Sequence, residues 1–211
     1  MRWLSQIFGE REQLPALERL LAGEIAAAEG GDDDLLASLQ LYRARTLVDL
    51  DRRSEAYAAL EAGIAVCPYP TCAFWDDLPW AGVQFARDAG EFRTAIEWID
   101  RLLFWKEECW TLGASFYSAY YDNAQQLKAE LLRDELDEPE EAAEAFLELE
   151  NFTESVLRDD GLYEAAQLFL DRLGEPERGC DVLRELLETY PDSNRRRDAQ
   201  ERLDRPPCST S

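Results

Sequence analysis

GEPERGCDVLRELLETYP (174–191) reads as a turn followed by a helix, with small Gly179 one helical turn before large Leu183. The same arrangement recurs in DRRSEAYAALEAGIAVCP (51–68), in GEFRTAIEWIDRLLF (90–104) and, more weakly, in DEPEEAAEAFLELE (137–150). The small residues are Ala56, Ala95, Ala142 and Gly179, and the large ones four positions on are Leu60, Ile99, Phe146 and Leu183. A proline follows twelve positions after the small residue in the first and last copies, at Pro68 and Pro191. A helical pattern that recurs in this way predicts a stacked array of helix pairs, because one pair cannot bury both of its faces. The small residues are spaced by 39, 47 and 37 positions, so the array is irregular.

Working outward from these copies, the remaining chain is also helical in pattern. Pro15 suits a first helical turn, and Leu17, Leu20, Leu21 and Ile25 follow at helical spacing until Gly30 and Gly31. Asp32, Asp33 and Asp34 precede a helix of about 35–50, where carboxylates cap free N–H groups and oppose the helix dipole. Further helices are predicted at about 54–66, 78–89, 92–106, 112–136, 139–150, 162–173, 176–190 and 195–204, with 151–161 an irregular connection or a short helix. Trp3, Leu4, Ile7 and Phe8 suggest a short terminal helix that covers the first pair. Strand-like alternation is hard to find, and the fold class is all-α.

Composition narrows the function. Net charge is −23, and residues 122–211 carry 25 acids against 11 bases. Binding a polyanion requires neutralising phosphates with Lys and Arg, so nucleic acid and anionic membrane surfaces are poor prospects. Histidine is absent, which removes the commonest general base and the commonest nitrogen ligand for metals. Cys67, Cys72, Cys109, Cys180 and Cys208 are odd in number and form no C-x-x-C, so the expectation is reduced thiols, no metal site and a cytoplasmic location. No stretch approaches a membrane span, and no secretory signal is visible. The tail 206–211 reads as disordered.

The four copies resemble the tetratricopeptide repeat (TPR) family, whose unit is a 34-residue helix–turn–helix. Ala44, Leu47, Ala56, Leu60, Gly63 and Pro68 fit its interface positions in the 37–70 copy, and Leu170, Gly179, Leu183, Leu186 and Pro191 fit them in the 160–193 copy. The 76–109 copy has Glu107 where proline would fall, and the 123–156 copy has Glu130 in place of the small interface residue. The resemblance implies a right-handed α-solenoid of about four helix pairs. Cap helices would occupy 1–31 and 194–205, repeats 32–70, 76–109, 112–156 and 160–193, and a single domain 1–205.

Neither a phosphate-cradling glycine loop nor a nucleophile motif occurs, and adjacent acid pairs such as Glu107–Glu108 point about 100° apart on a helix. No enzyme and no cofactor are expected. In the family, partner peptides usually lie on the concave face formed by first helices. By resemblance that face holds Leu41, Arg45, Val48 and Asp49, then Trp80, Gln84, Arg87 and Asp88. Leu127, Leu131, Asp134 and Glu135 follow, then Glu164, Leu168, Asp171 and Arg172. The expected function is a non-catalytic scaffold for a basic or mixed-charge protein or peptide, with the chain itself a monomer or weak homo-oligomer. A second expectation comes from the aromatics: fourteen of 23 fall in 69–121, where they could enclose a peptide or small ligand in a regulatory pocket.

Overall fold

The computed structural model describes residues 11–69, 71–104 and 118–210. These form ten α-helices: α1 Leu14–Ala28, α2 Asp33–Asp49, α3 Arg53–Val66, α4 Asp77–Asp88, α5 Phe92–Phe104, α6 Tyr121–Asp134, α7 Pro139–Leu147, α8 Arg158–Leu168, α9 Pro176–Thr189 and α10 Arg196–Leu203. No strand occurs among the described residues. The expected terminal helix at 2–8, the 105–117 part of the aromatic stretch and Cys109 lie outside them. The chain divides into two compact units, Met1–Ser118 and Ala119–Ser211.

In the first unit α1 packs on α2, α2 on α3, α3 on α4 and α4 on α5. The second repeats this logic from α6 through α10. Each first helix meets its second helix along a seam of small and large residues. Ala56, Ala95 and Ala142 are fully buried, as are their partners Leu60 and Ile99, while Phe146 is 2% exposed. Gly179 shows why the position must be small: a Cβ there would sit 2.6 Å from Leu170 Cγ and 3.1 Å from the Ala166 carbonyl oxygen.

One further regularity locks the register of all four pairs. Five residues before each small position the backbone turns left-handed, at Asp51 (φ 58°), Gly90 (φ 73°), Asp137 (φ 57°) and Gly174 (φ 67°). Glycine takes this conformation without steric cost, and Asp is among the few other residues that tolerate it. The next N–H then closes back on the end of the first helix, from Arg52 to Leu47 O and from Glu91 to Ala86 O in the first unit. In the second unit the closing bonds run from Glu138 to Leu132 O and from Glu175 to Phe169 O, one residue wider. After α8 that extra residue appears as a single π turn, Phe169–Leu173. The third pair, whose spacing is the least regular in sequence, is therefore placed by Asp137.

Helix ends follow the sequence signals. Pro15, Pro139 and Pro176 lie in the first turns of α1, α7 and α9. Asp32 caps α2, its Oδ1 accepting the Leu35 N–H at 3.1 Å. Asp32→Ala is expected to cost about 1 kcal/mol of unfolding free energy in urea titration; a loss near zero would show that Asp33 and Asp34 substitute for the cap.

Two expectations are corrected. The reduced-thiol reading fails for four cysteines, because Cys67 is bonded to Cys72 and Cys180 to Cys208. The tail is not frayed either: Cys208 opens a short 3-10 turn, Cys208–Thr210, and is only 5% exposed. The tail folds back on α9 and α10, so sulfurs 28 residues apart meet.

Candidate partner-binding surfaces

The first-helix residues singled out from the sequence separate by burial. Leu41, Leu131 and Leu168 are 3–5% exposed. They are core residues and cannot line a groove. Their spacing gives the reason: Leu41 lies four after buried Ala37 and three before buried Ala44, on the stripe that faces α3 and its neighbours. Arg45, Val48, Trp80, Gln84, Leu127 and Glu164 are half-buried, and Asp49, Arg87, Asp88, Asp134, Glu135, Asp171 and Arg172 are exposed.

In the first unit these side chains form two lines on packed neighbours, since α2 also touches α4. Arg45 and Val48 lie along α2 with Asp49 beside them. Trp80, Gln84 and Arg87 follow one face of α4 at i, i+4 and i+7. Arg45 stacks on the Tyr42 ring at 5.9 Å, and Arg87 pairs with adjacent Asp88 at 3.3 Å.

In the second unit Asp134, Glu164 and Asp171, expected to attract a basic partner, are each paired with an arginine. Arg133 on α6 reaches Glu164 on α8 at 2.6 Å and Asp134 at 2.7 Å, and its guanidinium holds the Asp134 carboxyl below the usual carboxylate range. Arg172 pairs with Asp137, Arg202 on α10 with Asp171, and Arg195 with Asp160. This face is mixed in charge and extensively ion-paired.

Second helices are tied across repeats in the same manner. In the first unit Arg53 and Tyr57 both reach Glu91, at 2.9 and 2.8 Å, and Arg101 grips Glu61 with both terminal nitrogens. In the second, Arg178 binds Glu144 while stacked over Phe169 at 4.1 Å. Tyr190 donates to Glu150, and burial followed by that bond pushes its phenol up to about 12.

The aromatic stretch contributes to both core and surface. Trp98 is 5% exposed and Tyr121 fully buried, whereas Phe104 is 68% exposed. Between α3, the start of α4 and α5 lies an open cleft of about 380 Å³, lined by Ile64, Trp75, Pro79, Asp100, Arg101 and Phe104. Aromatic density in the sequence marked this region, but the cleft lies on the second-helix side and Ile64, Pro79, Asp100 and Arg101 carried no signal of their own. Among the described residues no cluster of His, Cys, Asp and Glu is placed to hold a metal ion, and no helix is long and apolar enough to cross a membrane.

Comparison with known families matches a family described as Tetratricopeptide repeat to residues 160–193, the α8–α9 pair. Residues 160–193 form a tetratricopeptide repeat. This TPR fold is shared with a crystal structure of nearly identical TPR-like repeats from a Podosopora anserina kinesin light chain candidate, at TM-score 0.52 and 15% identity over 89% of this chain and 93% of that one. A single-substitution variant of those repeats aligns at TM-score 0.51 and 16% identity over 90% and 94%. No curated protein sequence matches the chain. TPR arrays serve in general as scaffolds for other proteins, since stacking yields an extended surface for binding.

Proposed function

We propose that this TPR protein is a non-catalytic adaptor that holds a protein or peptide segment of mixed charge on its first-helix faces. The observation that carries the reading is the paired lines of the first unit: Arg45 and Asp49 on α2 beside Trp80, Gln84 and Arg87 on α4. An aromatic ring, an amide and charges of both signs suit a segment that alternates apolar, basic and acidic residues, and Trp with Arg dominates interface hot spots. Leu127 and Glu164 are the counterparts in the second unit, where ion pairing among the helices favours a mixed-charge segment over a purely basic one.

Affinity capture from the native cell extract tests this, run at low and at physiological salt with the unsubstituted chain and with Trp80→Ala combined with Arg87→Ala. The double variant is expected to weaken the partner tenfold or more, about 2–4 kcal/mol for two hot-spot residues. An unchanged partner set, or no partner at low ionic strength, removes the support for this face.

A further inference from the structure

We propose that the Cys180–Cys208 bond is a redox latch, opened by a dithiol reductant, that holds the C-terminal tail over the end of the second unit. The stack shows what the tail covers. Tyr57 of α3 lies one residue after small Ala56, and Glu91 of the following pair meets it at 2.8 Å. Cys180 lies one residue after small Gly179, in the last helix pair of the described chain. There the tail stands in for a following pair: the Cys208–Thr210 turn contacts both α9 and α10, and Cys180 is 1% exposed. At 1.5 Å per residue α10 is about 12 Å long against about 21 Å for α9, so it leaves part of α9 for the tail.

The burial of this tail is concentrated in one side chain. Of residues 204–209 only Cys208 is buried, while Asp204, Arg205, Pro206, Pro207 and Ser209 are exposed. The N–H groups of Asp204, Arg205 and Ser209 donate to Gln200, Arg202 and Arg205, three or four residues back, and so shape the tail without binding it to α9. The Cys67–Cys72 loop is built differently. Its Cys72 N–H donates to the Pro68 carbonyl at 3.1 Å, and the next N–H, of Ala73, donates to Asp34 Oδ1 at 2.8 Å. Hydrogen bonds thus anchor that loop beside its sulfurs. Opening the first bond frees a tail, whereas opening the second leaves a loop in place.

The step is thiol–disulfide exchange. A thiolate of the reductant attacks Cys208 Sγ, and Cys180 leaves as a thiolate that takes up the proton the attacking thiol released. The second thiol of the reductant then closes the reductant's own disulfide, and Cys208 leaves and is protonated in the same way. Two electrons and two protons pass to the protein, and the dithiol ends oxidised. Cys208 is the sulfur attacked, because a local opening of the exposed tail presents it while Cys180 sits within α9. Reduction uncovers Cys180 and the adjoining flank of α9, while the helix pairs stay folded on seams such as that of Leu183 and Leu186.

Hydrogen exchange read by mass spectrometry on the full chain tests this before and after dithiothreitol, with iodoacetamide adducts showing which sulfurs are reduced. Reduction is expected to speed exchange over residues 204–210 at least about tenfold, while α6–α8 change by less than about twofold. Oxidised glutathione is expected to restore the slow tail. Cys208→Ser is expected to show the fast tail without reductant, and Cys67→Ser with Cys72→Ser to keep the full response. The proposal is overturned if the reduced tail stays protected, or if α6–α8 lose protection along with it, which makes the bond a structural brace. It is equally overturned if dithiothreitol leaves Cys180 and Cys208 bonded in the folded chain, or if the Cys67/Cys72 double variant loses the response.

Discussion

Phe146→Ala is expected to lower the unfolding free energy by about 3–5 kcal/mol, the usual range for emptying a fully packed aromatic site. Phe146 is 2% exposed at the α7–α8 seam, and Arg133 lies over its ring at 5.3 Å. The seam cannot close over the void. Gly161 of α8 already approaches so nearly that a Cβ on it would stand 2.7 Å from the Phe146 carbonyl oxygen. The backbones are at contact distance, so the cavity persists and its cost falls at the upper end. Urea unfolding followed by far-UV circular dichroism measures the effect. All six tryptophans precede residue 119, so indole fluorescence reports the first unit alone and serves as an internal reference. A loss below about 1 kcal/mol would mean that the α7–α8 seam repacks, contrary to the close approach at Gly161.

Replacing both Cys180 and Cys208 by alanine is expected to cost about 3–4 kcal/mol, because their bond closes a loop of 28 residues whose entropy the unfolded chain otherwise keeps. Both cysteines are buried, at 1% and 5% exposure, so alanine introduces no new polar group into the seam. The Cys67–Cys72 bond spans only five residues and contributes less, about 2 kcal/mol in the same treatment. Reductant added to the unsubstituted chain should lower the melting temperature, while in the doubly substituted chain only the smaller contribution of the short loop remains to be lost. If reductant leaves the unsubstituted chain's melting curve unmoved, the tail is held by packing alone and the covalent account fails.

The sequence carried the helix pairs because their determinants are local. Gly90, Gly174, Pro139 and Pro176 act within one turn of where they stand, and the Ala56–Leu60 spacing is a single helical turn. Asp51 and Asp137 were harder to read as turn residues, since an aspartate signals a left-handed turn less sharply than glycine does. The disulfides escaped for a different reason. Cys180 and Cys208 meet only after α10 has turned the tail back on α9, and no local spacing encodes that return. At the binding faces, alignment to a repeat unit located the first helices but not the orientation of each residue. Leu41, Leu131 and Leu168 continue the core stripes of their own helices, and the 3.6-residue period already placed them inside. The cleft mixes residues from α3, the loop before α4, and α5, so its composition depends on packing that no single segment specifies.

The arginine–carboxylate pairs that join equivalent helices of neighbouring repeats have a mechanical consequence. Arg133–Glu164, Arg195–Asp160, Arg202–Asp171 and Arg178–Glu144 sit at the rims of the second unit, while the apolar seams run between them. Surface pairs, such as Arg178–Glu144, add only about 0–1 kcal/mol each to folding. Flexing the stack, however, stretches its rims before it opens its seams. Salt at physiological strength screens charges beyond about 8 Å, and the Arg133, Arg195 and Arg202 pairs, in contact at 2.5–2.6 Å, lie well inside that length. The second unit is then expected to behave as a leaf spring braced along its edges, whose compliance changes little between dilute buffer and physiological salt.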